Sequence, residues 1–298
     1  VITGGTYVIN AVEDALSGKD CLKICDGAFD ITCGEDALKS TNDSEEGRGF
    51  VDIDGGDFTI SAGDDAVHAE TLMRITAGTV NVLTCYEGYE GTVVRIDGGS
   101  TNIVASDDGI NAASGSSSEG GMPMGGEGRG GAGGPGAGAP GGASDGAGAG
   151  ANAPDGAGGP SGAGGGAGAP GAASGDAGAP DGAGAAATTS ACKVVVTGGT
   201  TYVSAGGDGI DSNGSVEVSG GVLIVEGPTS NADSFFDYDS SATITGGTVL
   251  MVGSTGMAQS FSGGTQAFAM ASASGSAGQT VVLLDAQGNA VASFTAMK

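Results

Sequence analysis

The chain of 298 residues sets 35 Asp and Glu against 9 Lys and Arg, for a formal charge of −26, and its 64 Gly, 4% aromatic content and lack of Trp do not suit an ordinary helical or α/β globule. A field of that sign repels nucleic acid and anionic lipid, and it attracts cations, above all the hard divalent ions that prefer oxygen ligands. Cys21, Cys25, Cys33, Cys85 and Cys192 show no zinc spacing and are odd in number, so they read as small fillers of turns and strands; no apolar run reaches the length of a membrane span.

From the start of the chain a Gly-Gly pair, or a one-residue variant of it, recurs with an acidic residue nine positions after its second glycine. Gly5 leads to Asp14, Gly27 to Asp36, Gly56 to Asp65, Gly78 to Glu87, Gly99 to Asp108 and Gly199 to Asp208. Regular spacing across unequal intervals marks one repeated structural unit that brings its carboxylate to the same place. Val1 falls inside a repeat with no initiator Met or signal peptide before it, so the chain reads as an excised or mature piece.

Aligning the units on the second glycine exposes the core positions. Three residues before it stand Ile2, Ile24, Ile53, Ile75, Ile96, Val196, Val218 and Ile244. Two after it stand Tyr7, Phe29, Phe58, Val80, Thr101, Thr201, Leu223 and Val249, and four after it Ile9, Ile31, Ile60, Val82, Ile103, Val203, Val225 and Met251. Polar residues fill the positions between, the period-2 alternation of strands with one buried face. Past the acid, Leu16, Leu38, Val67, Tyr89, Ile110 and Ile210 add another inward position. A unit of about 22 residues with short β-branched strands, glycine turns and no helical stretch predicts a coil of a right-handed single-stranded parallel β-helix. Propeller blades need about twice that repeat and bring their own motif.

The units fill residues 1–114. Residues 115–190 are almost wholly Gly, Ala, Pro, Ser and Asp, which offers nothing to bury against the entropy of ordering, so they predict a disordered insertion. The same repeat resumes over 191–272 as part of the same domain. Residues 273–298 predict a β-hairpin, Val281–Leu284 and Ala290–Phe294 around a turn at Gly288, capping the open end of the stack.

Stacked, the acids form a column, preceded by Glu13, Glu35, Asp64 and Asp107 and flanked three positions on by Ser17, Lys39, His68, Glu90, Asn111 and Asp211. Bare carboxylates about 4.8 Å apart repel, and two oxygens on opposite sides of a calcium ion span about that distance. The column therefore predicts Ca²⁺ held by Asp14, Glu35, Asp36, Asp64, Asp65, Glu87, Asp107 and Asp108. Asp side chains that merely satisfy turn N–H groups are the alternative. The segment Ser40–Gly49 lengthens one turn and carries Asp43, Glu45 and Glu46, either as a solvated acidic loop or as a wall of a ligand groove. His68, the single histidine, reads as a ladder residue rather than a zinc ligand, and nothing near it resembles a nucleophile.

At GFVDIDGG (Gly49–Gly56), DDA-x-H-A (Asp64–Ala69), CYEG-x-EG (Cys85–Gly91) and DDG-x-NA (Asp107–Ala112) the chain resembles the carbohydrate-binding β-helix family of clostridial and related Gram-positive surface proteins, once catalogued as a domain of unknown function. The resemblance covers Val1–Ser114 and Ala191–Lys298. It implies a secreted or cell-surface bacterial protein, a calcium-binding β-helix of pectate-lyase-like architecture that binds plant cell-wall polysaccharide, cellulose- or pectate-type, without catalysis. Lys39, His68, Tyr86, Glu90 and Asn111 would then face the glycan, and an acidic glycan would be held by a monomer of this charge through bridging cations. Two other readings stand beside it. A polysaccharide lyase would use calcium with Lys39 as the base, and a surface adhesin would use calcium only to stiffen the stack.

Overall fold

Strand alternation and glycine corners build an architecture that is all-β. The structure, a computed structural model, describes residues 1–114 and 191–298, so the expectation for 115–190 lies outside the described residues. Among the described residues no helix is long and apolar enough to cross a membrane.

Nearly all strands join one 17-stranded sheet whose pairings are all parallel, each strand lying beside its counterpart in the next repeat. Three successive ladders arise from each repeat. The first aligns Ile9, Ile31, Ile60, Val82, Ile103, Val203, Val225 and Met251 in register. A second, shorter ladder aligns Leu16, Leu38, Val67, Tyr89, Ile110 and Ile210. The third aligns Ile2, Ile24, Ile53, Ile75, Ile96, Val196, Val218 and Ile244. This succession is compatible with a solenoid, and it puts every inward column named above in one core cluster.

Core order begins with an aromatic stack. Phe29 is sandwiched between Tyr7 at 4.8 Å and Phe58 at 4.5 Å, with the rings nearly parallel at 8° and 4°. Beyond it the same column narrows to Val80 and then to buried Thr101 and Thr201. Thr101 meets the hydroxyl of fully buried Tyr89 at 3.2 Å, which satisfies two polar groups inside the core. The corners depend on glycine where backbone stacks on backbone. Gly78 sits at φ 96°, and a Cβ there would lie 2.6 Å from the carbonyl oxygen of Gly56; both the conformation and the space exclude a side chain.

Thr280–Leu284 and Ala290–Thr295 form an antiparallel pair. Its second strand touches Ser241–Val252, Phe294 packs on Tyr202 with centroids 6.1 Å apart, and the backbone N–H groups of Met297 and Lys298 donate to buried Glu226 at 2.9 and 2.7 Å. Phe261 packs against the same core and meets Phe236 at 5.1 Å and Phe268 at 5.9 Å. Cys33, Cys85 and Cys192 are buried.

Candidate functional site

The acid of each repeat follows a glycine turn, and its backbone is fixed by hydrogen bonds between coils such as Ala15 N–H to Asp36 O at 2.9 Å and Gly109 N–H to Asp208 O at 2.8 Å. One carboxylate oxygen then serves the next coil. Asp14 Oδ1 accepts the Asp36 N–H at 3.3 Å, Asp36 Oδ1 the Asp65 N–H at 3.0 Å, and Asp108 Oδ1 the Asp208 N–H at 2.6 Å; Asp208 accepts the N–H of Ser234 in turn. Turn capping is thus one role of the column, and it leaves the second oxygen of each carboxylate for other partners. Glu87 departs from the pattern: its Oε2 accepts from Asn111 Nδ2 at 3.0 Å.

Compensation divides the column into two halves. Lys39 Nζ lies 2.6 Å from Asp36 Oδ2 and 3.4 Å from Asp14 Oδ1. His68 Nδ1 lies 3.0 Å from Asp65 Oδ2 and 2.5 Å from Glu90 Oε2. Burial works to lower the imidazole pKa, but the hydrogen bonds to Asp65 and Glu90 outweigh it and push it up to about 11. Burial raises Asp65, whereas Glu90, although buried too, is held below its ordinary range by His68. Hence the first half already carries its own cations.

Among the described residues no cation pairs with Glu87 or with the column beyond Glu90. Burial first, then like charges, pushes Glu87 up to about 7, Asp108 to about 8 and both Asp208 and Asp211 to about 6. Carboxylate oxygens of Asp208, Asp211 and Asp237 lie within 4.8 Å of one another. Asn111 Oδ1 is buried without a hydrogen-bond partner, in register between Glu90 and Asp211. An acceptor left bare among carboxylates suits a hard cation, since every donor there is oxygen.

The expected ligands are not all gathered. Asp36 and Asp65 are buried and lie with His68, and Asp65 also lies with Glu87 and Glu90. Glu35 and Asp64 are exposed on the rim. Lys39, His68, Glu90 and Asn111 do form one outward column. Tyr86 is 47% exposed, while Tyr89 is wholly in the core. In the lengthened turn, Asn42 is buried, donates to Asp20 Oδ1 at 2.9 Å and accepts from the N–H groups of Ser44 and Glu45, which ties down the base of a loop whose acids Asp43, Glu45 and Glu46 are exposed.

Two groupings lay outside the sequence reading. Asp237 joins Asp208 and Asp211 from residues 228–238, where the repeat spacing breaks and alignment by period finds nothing. On the third ladder, Arg74 and Arg95 converge on Asp97. The signal for these was available, because Lys23, Asp52, Arg74, Arg95 and Glu217 each stand one residue before an inward Ile or Val.

Residues 1–131 match the family described as carbohydrate-binding domain-containing protein. That match supports a carbohydrate-binding role. Neither a curated protein nor a solved structure matches the chain.

Proposed function

We propose that this chain is a right-handed parallel β-helix that works outside a bacterial cell as a monomeric, non-catalytic binding module for plant cell-wall polysaccharide, with calcium as its ion. The observation that carries the glycan reading is the family match over residues 1–131. The observation that supports calcium is the uncompensated half of the acid column, where Asn111 Oδ1 lacks a partner. Glu87, Asp107, Asp108 and Asn111 would hold ions there, and Asp208, Asp211 and Asp237 extend the same oxygen-only donor set. Bound calcium would neutralise the column and tie neighbouring coils together.

Catalysis as a lyase fits less well. Burial works to lower the Lys39 pKa, but Asp36 and Asp14 outweigh it and hold the amine above its ordinary range. An ammonium locked in two ion pairs does not accept a proton near neutral pH. Retention on insoluble or immobilised polysaccharides, cellulose and pectate among them, in calcium-containing buffer tests the binding reading. A chain that is folded and calcium-loaded yet retained by no polysaccharide would overturn it.

A further inference from the structure

The third ladder presents a flat outward face on the strands Phe50–Ile53, Val67–Ile75, Tyr89–Ile96 and Lys193–Val196. Along it Val51, Met73 and Val94 and their neighbours Ile53, Ile75 and Ile96 point into the core, so Asp52, Arg74 and Arg95 point out. Four of the chain's 9 Lys and Arg, namely Lys23, Arg74, Arg95 and Lys193, gather here. They are met by Asp52, Asp54, Asp97 and Glu217, so this face is balanced within a chain of net charge −26.

The arginine pair is held in a fixed pose. Arg74 and Arg95 are register neighbours in adjacent repeats, and both donate through Nε to the same oxygen, Asp97 Oδ2, at 3.0 and 2.8 Å. The other oxygen of Asp97 accepts from Thr197 Oγ1 at 2.6 Å. Two guanidinium groups therefore share one carboxylate oxygen, with Asp52 the register neighbour of Arg74 on the other side. Among the described residues no hydrogen bond reaches the Nη atoms of either arginine, and the side chains are 38% and 40% exposed. Each fork is fixed at its Nε and open at its outer edge, the geometry that grips a carboxylate in a bidentate way.

Beside the pair runs an apolar strip. Phe50, Leu72 and Val93 are in register, half-buried, and each lies two residues before Asp52, Arg74 and Arg95 respectively. A sugar ring can rest an apolar face on such a strip while its carboxylate reaches the forks.

We infer that Arg74 and Arg95, held by Asp97, form a direct binding site for the carboxylate of a uronic-acid glycan lying on the Phe50–Leu72–Val93 strip. The inference rests on the glycan-binding reading above and adds the residues that would hold an acidic ligand and the face on which they stand. It also removes the need for a bridging ion at the contact, because the unoccupied Nη donors can reach a carboxylate directly, while the charges of the acid column are screened beyond about 8 Å at physiological salt.

The test uses the full chain saturated with calcium, titrated with a short galacturonate oligomer and with its methyl ester. Wild type should bind the acid form at least about tenfold tighter than the ester, and Arg74→Gln with Arg95→Gln should remove that preference, the loss expected for charge-assisted hydrogen bonds. Because the Gln pair leaves Asp97 without cations, Arg74→Lys with Arg95→Lys is run beside it. The lysines keep the charge and lose the fork, so the preference should fall there too. Independently of any variant, the Nε–H resonances of two arginines in the wild-type chain should shift on saturation. Unshifted arginines, or a folded Gln pair that binds the acid form like wild type, would overturn the site. If wild type binds neutral glycans but not the acid form, the site falls and the binding module stands; if it binds no glycan, both fall.

Discussion

Asp108→Asn isolates the cost of the bare acid column. Asp108 Oδ1 caps the Asp208 N–H at 2.6 Å, and Asn keeps that acceptor while removing the charge. Burial, followed by Glu87, Asp107 and Asp208, pushes the Asp108 carboxyl up to about 8, against about 3.9 in an unfolded chain. A carboxyl with a raised folded pKa contributes stability that is fully present below the unfolded value and is lost as pH rises through the folded one. At about 1.4 kcal/mol per unit the shift caps that loss at about 6 kcal/mol, and partial solvent contact lowers the expectation to about 2–3 kcal/mol. In EDTA at pH 8, then, urea melts should show Asp108→Asn more stable than wild type by about 2–3 kcal/mol, the gap narrowing as pH falls toward 4. Calcium should reverse the order, since an ion at 100 times its Kd stabilises a chain by about 2.7 kcal/mol and the variant holds it less well. An Asn variant no more stable than wild type in EDTA at pH 8 would refute the reasoning, because the buried charge would then cost nothing and the column would need no cation.

Phe29→Ala removes the middle ring of the Tyr7–Phe29–Phe58 stack and should cost about 3–5 kcal/mol in urea melts. Gly78→Ala must strain a φ of 96° and push against the Gly56 carbonyl, so a loss of at least about 1–3 kcal/mol is expected by the same assay. Neither wild type nor Lys39→Ala should generate unsaturated product absorbing at 235 nm; product from wild type that disappears in the variant would favour the lyase reading.

Much of the fold was legible because the repeat converts position in sequence directly into height in the stack. Ile24, Ile53 and Ile75 align in the sequence by their distance from a glycine, and the same distance brings them side by side in the ladder. The acid column was legible for the same reason. Its chemistry was not, since Lys39 and His68 occupy the same column as Glu90 and Asn111, and only their reach to Asp36 and Asp65 shows which acids are already neutralised. The hairpin was legible as local pairing, but its seat on Tyr202 and Glu226 depends on residues about 70 to 90 positions away.

Sequence alone determined the period, the inward columns and the line of carboxylates, because each follows from spacing within one coil. Tertiary structure alone decided which carboxylates stay bare, how Asp237 reaches Asp208 and Asp211 from a stretch without the period, and that two arginines share Asp97. Those outcomes depend on side chains meeting across coils within hydrogen-bonding distance, and residue spacing carries no information at that scale.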